Sequence, residues 1–274
     1  MTALAQPVCF VPGEGVRTAY RQLGRGPLLL LIHGAEADHT MFLDLMEALA
    51  GSFCVVAYDQ RDSGRTGNGD EPYDLRHLAN DAVALIRFLL KAAGGRRVHL
   101  YGTSFGGQIA QLVAARHAHL VDRLVLGSTW AVNRKLGQVN ATALEQLARL
   151  RTMLPDSAQQ MAEFFFSQAF LAAHPETVEL FRATQRTAEQ ARRRALMMQA
   201  APPAMSFADI TAPTLLLAGG ADRLIPPAET FDLARLIVHT HEQELPGLPH
   251  VGAIEDPVRV AQAVSDFLLP LEIA

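Results

Sequence analysis

One serine stands among three glycines in Gly102-Thr103-Ser104-Phe105-Gly106-Gly107, where the apolar run Val98-His99-Leu100-Tyr101 gives way to a helical pattern. A plain turn needs one glycine and no particular serine. Glycines on both sides remove side chains that would collide with the neighbouring strand and helix, so a serine can occupy a strained turn with its hydroxyl held outward. The N–H of Phe105, at the start of the helix, points toward any anion that forms there. This is the equipment of a nucleophile. A serine hydroxyl at neutral pH is a weak one and needs a base, and the base needs a group that fixes its tautomer.

Two loops offer those groups. Gly219-Gly220-Ala221-Asp222 follows an apolar strand pattern, so Asp222 falls on a turn at a strand's C-terminal end, where open α/β sheets build their sites. Leu248-Pro249-His250-Val251-Gly252 lies between the last strand pattern and the last helix pattern, which puts His250 in the loop beyond the strand. Asp222 also suits a turn or a helix cap. The chain has ten histidines, and His239 and His241 compete with His250, but they fall in or beside a strand.

The elements that must carry these residues follow from periodicity. Val8 to Val11 and Val16 to Leu23 read as a strand pair around Pro12-Gly13-Glu14-Gly15. Leu28 to Ile32 and Phe53 to Ala57 are continuous apolar runs, as expected for strands covered on both faces. Helices are expected over Met41 to Leu49, Leu75 to Lys91 (ended by Gly94-Gly95) and Phe105 to Arg116, with strands at Val98 to Tyr101 and Leu120 to Leu126. From residue 27 to 127 strands and helices thus alternate, the pattern of a doubly wound parallel sheet. The alternation stops at residue 131. Four helical stretches, near 140–153, 156–172, 175–185 and 187–200, run between Pro155, Pro175 and Pro202-Pro203. Strands resume at Thr214 to Ala218 and His241 to Leu245, with helices near Ala228 to Ile237 and Asp256 to Leu268. The expected organisation is an α/β core of residues 1–129 and 206–274 with a helical cap, residues 130–205, inserted into it.

Bulk properties narrow the partners. The 274 residues are 49% hydrophobic, enough for a large core. A net charge of -4 gives no basic field for a phosphate backbone, so nucleic acid is not an expected partner. No apolar run approaches the roughly 18 residues that span a bilayer. The first residues lack a basic region followed by an apolar stretch, so the expectation is a cytoplasmic protein without a signal peptide. Cys9 and Cys54 sit in apolar segments and read as buried free thiols. His117-x-His119 and His239-x-His241 lack a third ligand at credible spacing and read as ordinary polar positions rather than a metal site. Arg192-Arg193-Arg194 reads as a solvated helix face. Phe164-Phe165-Phe166 and Leu196-Met197-Met198 read as packing within the insertion, with one or two side chains reaching a pocket.

Gly102-x-Ser104-x-Gly106 between strand and helix resembles the nucleophile elbow of the α/β-hydrolase superfamily. The resemblance covers nearly the whole chain. It takes in His33-Gly34 after the third strand, Asp59-Gln60-Arg61-Asp62-Ser63-Gly64-Arg65-Thr66 after the fourth, the elbow, Asp222 and His250. It implies a mostly parallel doubly wound sheet with a four-helix cap, like that of the esterase and lactonase branch. It implies the chain order serine, acid, histidine, and hence the triad Ser104, Asp222 and His250. It also implies a second oxyanion donor in the loop after the third strand, the N–H of Ala35, beside that of Phe105. Glu36 is out of place there, because a carboxylate opposes charge build-up at an oxyanion; it is expected to point outward or to meet a cationic or hydroxylated substrate. Arg61, Asp62 and Arg65 are assigned to loop scaffolding. Trp130, Glu36 and Val251 are candidates for the wall of the substrate pocket.

Departures narrow the branch. Ser104 argues against haloalkane dehalogenases and epoxide hydrolases, which carry aspartate at the elbow. Gly102-Thr103-Ser104 and His250-Val251 differ from the Gly-Asn-Ser and His-Trp pairs of meta-cleavage carbon–carbon hydrolases. Proline iminopeptidases share an Asp-Gln-Arg stretch but hold a free amine with acidic cap residues, for which only Glu163, Glu176 and Glu179 are available. The expected function is cofactor-free hydrolysis of a small to medium, partly apolar carboxylic ester or lactone through an acyl-enzyme. Two rivals stay open. The same triad could cleave an amide or carbon–carbon bond. The fold could also serve as a ligand-binding or receptor protein with little turnover.

Overall fold

The computed structural model describes residues 2–13, 15–69, 71–182 and 186–269. One sheet of eight strands organises the core: β1 (Cys9–Gly13), β2 (Val16–Leu23), β3 (Leu28–Ile32), β4 (Cys54–Tyr58), β5 (Val98–Thr103), β6 (Val121–Gly127), β7 (Thr214–Gly219) and β8 (Thr240–Leu245), in the order β1-β2-β4-β3-β5-β6-β7-β8. The β1–β2 and β2–β4 pairs are antiparallel; all others are parallel.

The helices of the core are α1 (Leu43–Leu49), α2 (Leu75–Ala93) and α3 (Phe105–Arg116) before the insertion. The apolar run of β3 is divided between two cores by the period of a strand. Leu28, Leu30 and Ile32 join the cluster built with α2 and α3, while Leu29 and Leu31 join the cluster that holds α1. Helix α2 starts where the Asp74 carboxylate accepts from the N–H groups of Arg76 and His77, and it ends at Gly94 with φ 68°.

The strand order reverses beside β3. The chain passes from β3 to β4 on one side, then crosses to β5 on the other, so the C-terminal ends of β3 and β5 flank a topological switch point. Such a crevice is where open α/β sheets place their ligands. The loop 33–36 leaves β3 there and Ser104 leaves β5 there.

The segment between β6 and β7 contains α4 (Leu136–Val139), α5 (Ala141–Arg151), α6 (Ala158–Ala162), α7 (Gln168–Ala173), a 3-10 helix at Pro175–Phe181 and α8 (Ala188–Gln199), and no strand among its described residues. The single helix expected near 156–172 is therefore two. The chain leaves helical geometry over 163–167 because it docks on the core there: Val251 N–H donates to Phe165 O at 3.3 Å and Ser167 N–H to Glu255 Oε2 at 2.9 Å. Ser167 then caps α7 through its side chain. The helix expected near 175–185 is the 3-10 turn ending at Phe181; residues 183–185 lie outside the described residues, as does Glu14 of the first turn.

After β7 come α9 (Pro227–Phe231), a 3-10 helix at Asp232–Arg235, and, past β8, α10 (Gly252–Glu255) and α11 (Pro257–Leu268), which packs beside α1. Trp130 is 3% exposed, in a cluster with Leu147, Met161, Phe164, Leu224 and Ile225. Cys9 and Cys54 are free and half-buried rather than buried. No described helix is long and apolar enough to cross a membrane.

Candidate active site

The turn after β5 holds Ser104 at φ 53° and ψ -124°, a conformation L-residues rarely adopt. It survives because its surroundings over-determine it. Ser104 N–H donates to Gly127 O at 2.9 Å, and the Thr129 hydroxyl donates to Ser104 O at 2.6 Å. Thr129 is fixed in turn by Thr230, whose hydroxyl accepts from Thr129 N–H at 3.1 Å and donates to Thr129 O at 2.8 Å. The glycines are steric requirements. A Cβ at residue 106 would lie 2.1 Å from Ile32 O, and one at residue 102 would lie 2.5 Å from Gly106 O. Any side chain at either place would push α3 off the end of the sheet.

Asp222 and His250 reach Ser104 from the loops after β7 and β8. His250 Nε2 lies 3.1 Å from Ser104 Oγ, and His250 Nδ1 lies 2.8 Å from Asp222 Oδ2. The other oxygen of Asp222 accepts from the N–H groups of Leu224 at 2.9 Å and Ile225 at 2.8 Å, which fixes the carboxylate plane. Asp222 and His250 are 7% and 5% exposed, while Ser104 stays half-buried. Of the three, the serine is thus the most exposed. His239 and His241 take no part; the His241 ring packs on Phe267.

The loop after β3 is held by side chains from two separate motifs, His33-Gly34 and Asp59-Gln60-Arg61. Gln60 N–H donates to His33 Nε2 at 3.1 Å, so the ring proton sits on Nδ1 and is directed at Gly34 O, 2.7 Å away. Gln60 Nε2 also donates to His33 O at 2.6 Å. Burial pushes the His33 pKa down to about 4, so the ring is neutral at physiological pH. Gly34 O belongs to the same peptide unit as the N–H of Ala35. A bond accepted by that carbonyl polarises the unit and strengthens its N–H as a donor. The signal for this was the pair His33 and Gln60, which the sequence displays without revealing that they touch.

Glu36 is exposed, and its carboxylate meets Arg151 Nη2 at 3.2 Å and Arg186 Nη1 at 2.6 Å. Burial acts to raise its pKa, but Arg151, Arg186 and Arg194 outweigh that and hold the carboxyl below its usual range. The expected solvated arginine run is a correction: Arg192 is exposed, whereas Arg193 and Arg194 are buried. Arg193 makes a two-pronged ion pair with Asp62, at 2.7 and 3.0 Å. Arg194 reaches the loop after β3. Val251, half-buried, meets the inserted segment through its N–H, and the Phe165 ring stands edge-on to the His250 ring with centroids 5.8 Å apart. Trp130 donates from Nε1 to Arg134 O at 2.8 Å, and its ring packs where the inserted segment meets Leu224 and Ile225 of the Asp222 loop.

Among the described residues one group, Asp38, His39 and Asp59, brings three metal-type ligands together. His39 Nδ1 faces Asp59 at 2.6 Å and its Nε2 accepts from Arg21 Nε at 3.0 Å, so both ring nitrogens serve the scaffold. The His117 and His119 rings stand edge-on to each other with centroids 6.3 Å apart, and neither belongs to such a group among the described residues.

The pattern that defines the alpha/beta hydrolase family matches residues 29–263. The chain belongs to that family. It is 27% identical over 253 residues to a protein of Agrobacterium fabrum that bears the name carbamate hydrolase RutD, covering 90% of this chain and 94% of that one. Among solved structures it resembles a membrane phospholipase A described as a bacterial virulence factor, with 29% identity, a TM-score of 0.78, and 96% of this chain and 86% of that one covered. A thermophilic esterase from Thermogutta terrifontis gives 26% identity and a TM-score of 0.76 over 96% of this chain and 98% of that one. The chain is accordingly a hydrolase of this fold.

Proposed function

We propose that the protein is a cofactor-free serine hydrolase that cleaves a small to medium, partly apolar carboxylic ester or lactone. The observation that carries this reading is the unbroken line of short contacts from Asp222 through His250 to the half-buried Ser104. His250 Nε2 takes the proton of Ser104 as Oγ attacks the substrate carbonyl. The negative charge that develops on the carbonyl oxygen is met by the N–H groups of Phe105 and Ala35. The tetrahedral centre collapses, the carbon–oxygen bond breaks, and His250 returns its proton to the leaving alcohol. Water then gives a proton to His250 and attacks the acyl carbon; Ser104 leaves with that proton and the acid departs. Asp222 holds the imidazole in its tautomer and offsets its transient positive charge throughout.

Residues 130–205 serve as a cap on a core of residues 1–129 and 206–274. Support comes from the reach of the insertion: Phe165 packs against His250, and Arg186 and Arg194 bond to the loop that carries Ala35. A cap over the serine excludes water and favours uncharged, small-molecule substrates. The similarity to a protein named carbamate hydrolase favours a second reading, in which the same three residues cleave a carbon–nitrogen bond. The two differ only in the group that His250 protonates.

A panel of p-nitrophenyl esters, lactones, carbamates and anilides, each run with wild type and Ser104→Ala, tests both. Ester or lactone turnover that falls about 10⁴- to 10⁶-fold in Ser104→Ala is the expected result. Turnover confined to carbamates or anilides would replace the first reading by the second. Stoichiometric cleavage without turnover would point to a receptor.

A further inference from the structure

One side chain of the inserted segment touches both residues whose N–H groups the proposed mechanism uses. Arg194 Nη2 donates to Ala35 O at 3.1 Å, and its guanidinium carbon stands 5.0 Å from the centre of the Phe105 ring, within range of a cation–π contact. The same nitrogen donates to Gln60 Oε1 at 2.9 Å, and so to the residue that holds His33. The Ala35 carbonyl takes a second guanidinium bond, from Arg186 Nη2 at 2.8 Å. Arg186 extends the grip to Asp62 O at 2.9 Å and Ser63 Oγ at 3.1 Å. Neither arginine belongs to the core; both arrive from the segment between β6 and β7. Arg193, next to Arg194 in sequence and midway along α8, anchors that helix through Asp62.

Arg194 is 4% exposed, and the acceptors its nitrogens reach are neutral oxygens: Ala35 O, Gln60 Oε1 and, at 3.5 Å, Arg61 O. The Glu36 carboxylate acts on this charge only through space, without a direct ion pair, and burying a guanidinium in that way is costly for folding alone. It becomes favourable to a reaction that places negative charge nearby, because a fixed cation in a dry site stabilises that charge without reorganising.

We propose that Arg194, supported by Arg186, is a positioning residue for the oxyanion hole: the cap's arginines set the conformation of the 33–36 loop and the seat of Phe105, so the hole is complete only when α8 is docked. This rests on the serine-hydrolase reading above. The core alone then supplies serine, base and acid, while the cap supplies the final alignment of the two N–H donors.

The test uses the full chain with Arg194→Gln, Arg194→Lys, Arg186→Gln and, as a control on the exposed face, Arg192→Gln. Kinetics with p-nitrophenyl acetate and butyrate are paired with the second-order rate of inactivation by a p-nitrophenyl phosphonate, whose adduct puts an oxygen where the oxyanion would form. Thermal melts run beside them. Arg194→Gln is expected to lower kcat about 10- to 100-fold, as for a small misplacement of catalytic groups. KM should move less than about 3-fold, the signature of a loss felt in the transition state. Phosphonylation should slow in parallel, Arg194→Lys should recover part of the rate, Arg186→Gln should show a weaker loss of the same kind, and Arg192→Gln should match wild type. A folded Arg194→Gln protein with wild-type kcat, or one that loses only KM, overturns the inference. If Arg194→Gln does not fold, Arg186→Gln decides by the same split between kcat and KM. Ser104→Ala separates the layers: an active Ser104→Ala protein defeats the serine reading itself, whereas an inactive one beside normal arginine variants defeats this inference alone.

Discussion

Ser104 and His250, 146 residues apart in the chain, meet with 3.1 Å between Oγ and Nε2. The contact depends on the far side of the ring. Asp222 binds Nδ1, and two backbone N–H groups fix Asp222. Asp222→Asn should keep the fold, because an amide oxygen can still accept from Leu224 and Ile225. It should lower kcat by about 10⁴, because the amide favours the wrong histidine tautomer. Steady-state kinetics with an unchanged circular dichroism spectrum check this.

The elbow makes a steric prediction. Gly106→Ala puts a methyl group 2.1 Å from Ile32 O, which is backbone and cannot yield as a flexible side chain would. Helix α3 must shift from β3, and Ser104 at its start moves with it. The expected cost is at the upper end of, or above, the about 1 to 3 kcal/mol of core overpacking, with a loss of turnover that exceeds the loss of folded protein. Urea titration against activity measured on the folded fraction reads both.

The Arg193–Asp62 pair, with side chains 8% and 0% exposed, should behave as a buried ion pair. Arg193→Met leaves the Asp62 carboxylate buried without its main partner and is expected to cost about 3 to 5 kcal/mol. The exposed neighbour Arg192→Met should change stability within about 0.5 kcal/mol. Parallel chemical denaturation of the two variants makes the comparison, and equal stabilities would place the 192–194 run on a solvated face after all.

His33 sets a pH window. Burial lowers its folded pKa to about 4 from 6.5 in the unfolded chain. Between those values the unfolded state binds a proton that the folded state refuses, so this residue's contribution to stability is intact above pH 6.5 and is lost as pH falls toward 4. Below that both states are protonated and the loss levels off. Denaturation midpoints of wild type between pH 7 and pH 4 should fall more steeply than those of His33→Gln, if the variant keeps the fold.

The sequence made the sheet legible wherever one strand carries its own evidence. The apolar run of β3 and the strand–turn–helix around Ser104 lie within a residue or two of their expected bounds, because a strand buried on both faces has no alternative composition. Asp222 was readable as a loop residue for the same reason, because β7 is buried throughout; β8, mostly exposed, marks the place of His250 less sharply. The insertion was less legible. Phe164 to Phe166 look helical in isolation, yet they leave helical geometry to dock on Val251 and the His250 ring, partners far away in the chain. Arg193 and Arg194 carry the composition of a wet helix face, and nothing local reveals that Asp62 and Ala35 wait opposite them. Trp130 stands at a junction, and its ring packs in a cluster shared by the insertion (Leu147, Met161, Phe164) and the loop beyond Asp222 (Leu224, Ile225), a pairing that nothing local in the sequence reveals.

The most direct test of the account is the site of covalent capture by a fluorophosphonate. Intact-protein mass spectrometry followed by peptide mapping should find one adduct, on Ser104, with none in Ser104→Ala and sharply slowed labelling in His250→Ala. An adduct on Ser63 or Ser128, or labelling of Ser104 at the wild-type rate when His250 is absent, would contradict a nucleophile activated by the relay from Asp222 through His250.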